Sequence, residues 1–86
     1  MYCMYVLRGQ SGEAYIGSTG NLKIRLNQHL TGQVRSTKHD SSWKLCYFEA
    51  YAAKTDALKR EIQLKRFAKS FAMLKKRIAA SLDFAA

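Results

Sequence analysis

Five polar side chains in this 86-residue sequence stand where packing alone would not put them. Tyr5 and Tyr15 each lie inside a strand-like run, Tyr2 to Leu7 and Glu13 to Gly17, separated by Arg8-Gly9-Gln10-Ser11-Gly12. Two such runs joined by a glycine-containing turn predict a hairpin, and cross-strand pairing then brings the two phenols near each other. A phenol serves as a weak general base where cations favour its ionised form; the plainer reading is two aromatics that fill a core. Arg25 and His29 are spaced i, i+4, so on a helix they point the same way, either as a catalytic pair or as a surface pair flanking the core. Glu61, on a helix opening at Thr55, falls about 40° from Ala57 and about 60° from Leu58, opposite Lys59, Gln63 and Arg66. A carboxylate on a packing face must find a cation, a metal or a hydrogen-bond donor. Lys65, one turn on, offers the simplest answer, an ion pair.

The elements that would carry these residues follow from the same sequence. Asn21 is a good N-cap for a helix over 22–30, on which Leu22, Leu26 and Leu30 form one apolar arc. Residues 31–42 are polar and basic and predict a flexible surface loop carrying Arg35 and Lys38. Trp43 to Tyr51 reads as a third strand, with Leu45, Tyr47, Glu49 and Tyr51 alternating against Lys44, Cys46, Phe48 and Ala50. Thr55 as N-cap and Asp56 in the first turn open a helix to about residue 68. Ser70 then caps a last helix with Phe71, Leu74, Ile78 and Leu82 in one stripe. The order is β-β-α-β-α-α, an α/β (α+β) fold: a small three-stranded antiparallel sheet flanked by helices, in a single domain over 1–86.

Composition narrows the partner. Fifteen Lys and Arg against six Asp and Glu give a net charge of +9, which points to a polyanion, most often nucleic acid. Nine of those cations fall between Lys54 and Arg77, against Asp56 and Glu61 alone. Cys3 and Cys46 sit in apolar runs without the close spacing of a zinc site, and read as core thiols. No apolar run is long enough to span a bilayer, and the N-terminus lacks the pattern of a secretion signal. The expectation is a soluble cytoplasmic protein with no membrane partner; no other protein partner is evident and the oligomeric state is open.

With those residues in place, Met4-Tyr5-Val6-Leu7 followed by Tyr15-Ile16-Gly17-Ser18-Thr19 resembles the paired motif of the GIY-YIG endonuclease superfamily. Asn21-Leu22, Arg25-Leu26 and His29, the Ser36-Thr37-Lys38 loop, Trp43-Lys44-Leu45, Tyr47-Phe48-Glu49 and Ala57-Leu58-Lys59-Arg60-Glu61 agree in order. The match is to small stand-alone bacterial members, over residues 2 to about 79. It departs at Cys3-Met4-Tyr5 in place of Gly-Ile-Tyr, at Ser18 where some members carry lysine, and in lacking an asparagine beyond the Glu. The resemblance implies a Mg²⁺- or Mn²⁺-dependent endonuclease acting on DNA. In it one of Tyr5 and Tyr15 activates or positions the attacking water, and Arg25 holds the scissile phosphate. His29 orients the water or assists proton transfer, and Glu61 is the single protein ligand of the metal. Arg35 and Lys38 are assigned to positioning the nucleic-acid backbone. The rival expectation is a nucleic-acid-binding module with the same fold and little or no catalysis.

Overall fold

A computed structural model describes residues 1–85. Strands β1 (Tyr2–Arg8), β2 (Ala14–Thr19) and β3 (Lys44–Tyr51) are joined in chain order with helices α1 (Leu22–Leu30), α2 (Lys54–Arg66), α3 (Ala68–Arg77) and α4 (Ala79–Ala85). As expected, the sheet is three-stranded and antiparallel, in the order β2-β1-β3. The central place of β1 accounts for its unbroken apolar run, because Cys3 to Leu7 are covered from both faces and all buried.

The pleat of the sheet separates two cores. Met4, Val6 and Ile16 face Leu64 of α2, Leu74 of α3, and Ile78 and Leu82 beyond it. Tyr5 and Leu7 face the other way, against Trp43, Leu45, Tyr15, and Leu22 and Leu26 of α1. The expected alternation of β3 fails at one point. Val6 pairs with Tyr47 but Leu7 with Leu45, so Cys46 is an extra residue and Leu45 and Tyr47 point to opposite faces. Cys46 keeps a bond from its Sγ to the Val6 carbonyl oxygen at 3.3 Å, and both cysteines are free thiols. Beyond the bulge, Glu49 accepts from Tyr47 Oη at 2.7 Å, Tyr51 Oη at 2.5 Å and Arg60 Nε at 2.9 Å, which fastens α2 to the sheet. Burial opposes the charge on Glu49, but the bonds from Arg60, Tyr51 and Tyr47 outweigh it and lower its pKa.

The helices on the Met4 face differ from expectation in their bounds. α2 begins at Lys54 with Ala53 at the N-cap, so Thr55 lies inside the first turn and caps nothing. It ends at Arg66, and Phe67, extended at φ −111 and ψ 99, takes the N-cap place expected of Ser70. The reason is tertiary. Leu64 and Leu74 both pack on the same small core, yet ten residues of continuous helix would set them about 15 Å apart. A second break at Ile78 divides the last stripe between α3 and α4, with Leu74, Ile78 and Leu82 all still buried. No described helix is long and apolar enough to cross a membrane.

Candidate active site

α1 is the element that aims Arg25 and His29, and its two ends are well defined. Asn21 Oδ1 accepts from the Ile24 amide at 3.1 Å, the expected N-cap. At the other end Gly32, with φ +74, donates to the His29 carbonyl at 3.3 Å while Gln33 N donates to Gln28 O at 2.9 Å. This pairing is a Schellman stop, and a left-handed residue at that place favours glycine. The buried stripe differs from the expected leucine arc. Leu30 is 41% exposed, whereas His29 is fully buried, so the face toward the sheet runs through Leu22, Leu26 and His29.

His29 enters the core because its ring is satisfied on both sides. Its Nε2 lies 2.7 Å from Tyr5 Oη and its Nδ1 lies 2.8 Å from Thr37 Oγ1. Where the Thr37 hydroxyl donates to the Val34 carbonyl, 3.5 Å away, it accepts from His29 at Nδ1–H. Nε2 is then the acceptor and the Tyr5 phenol the donor. Thr37 is itself fully buried, and its carbonyl accepts from Trp43 Nε1 at 2.9 Å. The 31–42 segment is therefore not the flexible loop expected. Turns at Val34–Thr37 and Thr37–Asp40 fold it inward, and Ser42 and Asp40 tie its end. Thr37 escaped sequence reasoning because a threonine in a polar stretch carries no periodic signal of burial.

Tyr15 meets this pair from the edge strand. Its ring centroid is 6.3 Å from that of Tyr5 and 5.0 Å from that of His29. Tyr5 is 1% exposed while Tyr15 is half-buried, so of the two phenols it is Tyr15 that borders solvent. Gly17 makes room for the arrangement. A Cβ there would stand 2.5 Å from Tyr5 Oη and 3.1 Å from Tyr15 Cε1. Any side chain at that position displaces both phenols.

Electrostatics keep the pair neutral at rest. Burial pushes the Tyr5 phenol up to about 12, although the Arg25 guanidinium beside it acts the other way. Burial likewise lowers the pKa of His29 below its ordinary value, and Arg25 adds to that. Tyr5 is thus a phenol and His29 a free base through neutral pH. Arg25 itself is half-buried, with Nη1 bonded to Gln28 Oε1 at 3.0 Å.

Glu61 comes from α2, on the opposite face of the sheet, with its side chain only 17% exposed. Ser18 Oγ donates to Oε1 at 2.5 Å and Lys65 Nζ donates to Oε2 at 2.7 Å. The expected ion pair is present, but Lys65 also stands 5.7 Å from the Tyr15 ring centroid and so links Glu61 to the phenols. Lys59, Gln63 and Arg66 are exposed as expected. No group of three His, Cys, Asp or Glu that could hold a metal occurs among the described residues. A lone carboxylate still suits Mg²⁺, a hard cation that keeps several waters and takes one or two protein oxygens beside substrate phosphates. Each Glu61 oxygen retains a lone pair beyond its present bond. Arg35 and Lys38 are exposed on either side of buried Thr37.

The GIY-YIG catalytic domain family matches residues 1–76 of this chain. A UPF0213 protein of Streptococcus agalactiae serotype V is 39% identical over 64 residues, 73% of each chain. A UPF0213 protein of Staphylococcus saprophyticus is 31% identical over 67 residues, 77% of this chain and 82% of that one. The structure-specific endonuclease subunit slx1 of Schizosaccharomyces pombe is 38% identical over 68 residues, 70% of this chain but 25% of its own length. No solved structure matches.

Proposed function

The chain belongs to the GIY-YIG family, and from that premise we propose that it is a divalent-metal-dependent endonuclease that hydrolyses phosphodiester bonds in DNA. The observation that carries this reading is the buried chain Tyr5–His29–Thr37 beside half-exposed Tyr15 and Arg25. A structural core has no need to bury a titratable pair with both imidazole nitrogens bonded to hydroxyls.

Tyr15 orients the attacking water, since it is the phenol that solvent reaches. Tyr5 takes the water's proton at Oη as its own proton passes to His29 Nε2. The phenol need never ionise alone, which its high pKa would forbid near neutrality. Thr37 holds the imidazole in the accepting tautomer. Arg25 holds the phosphodiester and stabilises the charge that develops on its oxygens. Glu61 would hold Mg²⁺ or Mn²⁺ through the lone pairs its oxygens keep beyond the bonds from Ser18 and Lys65. When bound, the ion supplies Lewis-acid polarisation of a phosphate oxygen. The test is a panel of labelled single-stranded, duplex and branched DNA, with and without Mg²⁺. Metal-dependent fragments support the reading; salt-sensitive binding with no cleavage under any metal favours a binding module.

Replacing Thr37 with Val leaves the Nδ1–H without an acceptor and lets the other tautomer compete. Leaving a buried donor unpaired costs about 1–3 kcal/mol, so a stability loss of that order is expected. The cleavage rate should fall about tenfold, because that penalty of about 1–3 kcal/mol then favours the competing tautomer and each 1.36 kcal/mol is a factor of ten. Ring ¹⁵N shifts of His29 should report the change of tautomer, and Thr37→Ser should restore both shifts and rate. Unchanged shifts would leave Thr37 a packing residue.

Arg35 and Lys38 are assigned to the nucleic-acid backbone. If roughly five phosphates are neutralised, affinity falls with a log–log salt slope near −4. Changing both residues to Ala should reduce that slope by about two without altering cleavage of saturated substrate. An unaltered slope would place the backbone along the basic helices.

A further inference from the structure

One aromatic residue outside the site described has no structural occupation. Phe48 is 50% exposed, in a protein small enough to need its large apolar side chains for the core. Among the described residues the other exposed large aromatic is Phe67, at the junction of α2 and α3. Phe48 instead lies on the sheet, directly opposite Tyr5 in the β1–β3 register. Residues paired across antiparallel strands project from the same face with Cβ atoms about 4.5–5.5 Å apart. Its ring therefore stands on the catalytic face, one strand over from the hydroxyl that meets the water. α1 and Trp43 cover that face at Tyr15, Leu7 and Leu45, and leave Phe48 and Ala50 open. Beside it an apolar groove of about 330 Å³ runs along Leu45, Cys46, Tyr47 and Phe48.

We propose that Phe48 is a stacking platform for an unpaired nucleobase next to the scissile phosphodiester, which makes single-stranded or locally unpaired nucleic acid the substrate class. The inference rests on the phosphodiesterase reading for the place of the phosphate. A phosphate held by Arg25, with the attacked phosphorus beside Tyr5, brings its adjoining base within reach of the next strand. Every base offers a π-face to an aromatic side chain, but inside a duplex both faces are already stacked. Only an unpaired base can lie flat on Phe48. The other occupant for an open edge strand is a second copy of the chain, pairing β3 with β3. The net charge of +9 on each copy opposes that association and favours a polyanion.

The test measures binding by fluorescence anisotropy without divalent metal, using a single-stranded oligonucleotide, the same strand with one abasic position, and a duplex. Phe48→Ala should weaken single-strand binding about tenfold or more and duplex binding less than about twofold, while Phe48→Trp keeps the wild-type preference. Scanning the abasic position should find one site whose loss mimics Phe48→Ala. Equal binding of all substrates by wild type and Phe48→Ala overturns the proposal. So does a stable dimer in light scattering that Phe48→Ala dissociates. Phe48-dependent single-strand binding without cleavage retains the platform and sinks the nuclease reading. Cleavage indifferent to Phe48 does the reverse.

Discussion

Tyr5→Phe should lower the single-turnover cleavage rate by about 10²- to 10⁴-fold, the range for removing a positioned proton-transfer group, with little change in substrate binding. The phenyl ring keeps its packing against Leu7 and Trp43. What is lost is the donor to His29 Nε2, which leaves that buried nitrogen unpaired at a cost of about 1–3 kcal/mol in stability. The pH profile of the wild type should carry the same signature. His29 must be unprotonated to receive the proton, and burial with Arg25 nearby lowers its pKa. The acid limb should therefore lie below about 6.5, the unperturbed value for histidine. Tyr5 stays protonated until about 12, so no alkaline loss is expected from it in the ordinary range. Stability has the matching sign: the unfolded chain binds the His29 proton more readily, so acidification below about 6.5 favours unfolding. If Tyr5→Phe cleaves within a few-fold of the parent, the phenol is packing alone.

Glu61→Gln should cost about 10³-fold or more in metal-dependent cleavage, since metal charge stabilisation is worth several kcal/mol and each 1.36 is tenfold. Binding isotherms for Mn²⁺ in the absence of substrate should show affinity for the wild type that Glu61→Gln lacks. The fold should survive, because the amide oxygen still accepts from Ser18 or Lys65, whose bonds to the carboxylate are 2.5 and 2.7 Å. Lys65→Met should tighten metal binding, since it removes a positive charge 2.7 Å from the carboxylate that would hold the ion. Equal Mn²⁺ affinity in wild type and Glu61→Gln would take the metal away from this residue.

The sheet, the first helix and the order of elements were legible because each has a local cause. Asn21 caps its own helix, and β1 announces its central place by an unbroken apolar run. Spacing showed Tyr5 and Tyr15 as a cross-strand pair and His29 as the i, i+4 partner of Arg25; the family resemblance alone joined them into one set, and the structure brings the three rings within 5.0 to 6.3 Å. What was not legible depended on contacts far apart in the chain. The break at Phe67 has no proline or glycine to mark it and follows from packing Leu64 and Leu74 on one core. The bulge at Cys46 reverses the face of Leu45 without changing the strand's composition. Burial of Thr37 comes from a folded irregular segment, where no period of two or 3.6 residues applies. The link from Glu61 to the phenols runs through Lys65, which by spacing alone is an ordinary i, i+4 helix pair.

The most direct measurement is nicking of supercoiled plasmid and cutting of a single-stranded oligonucleotide by wild type, Tyr5→Phe and Glu61→Gln protein, side by side in Mg²⁺ and in chelator. Wild type should cut at least one of the two substrates in Mg²⁺ and neither in chelator, and neither variant should match it. Equal cutting by all three proteins, or none by the wild type in Mg²⁺ or Mn²⁺, would contradict a metal-dependent nuclease built on Tyr5, His29 and Glu61.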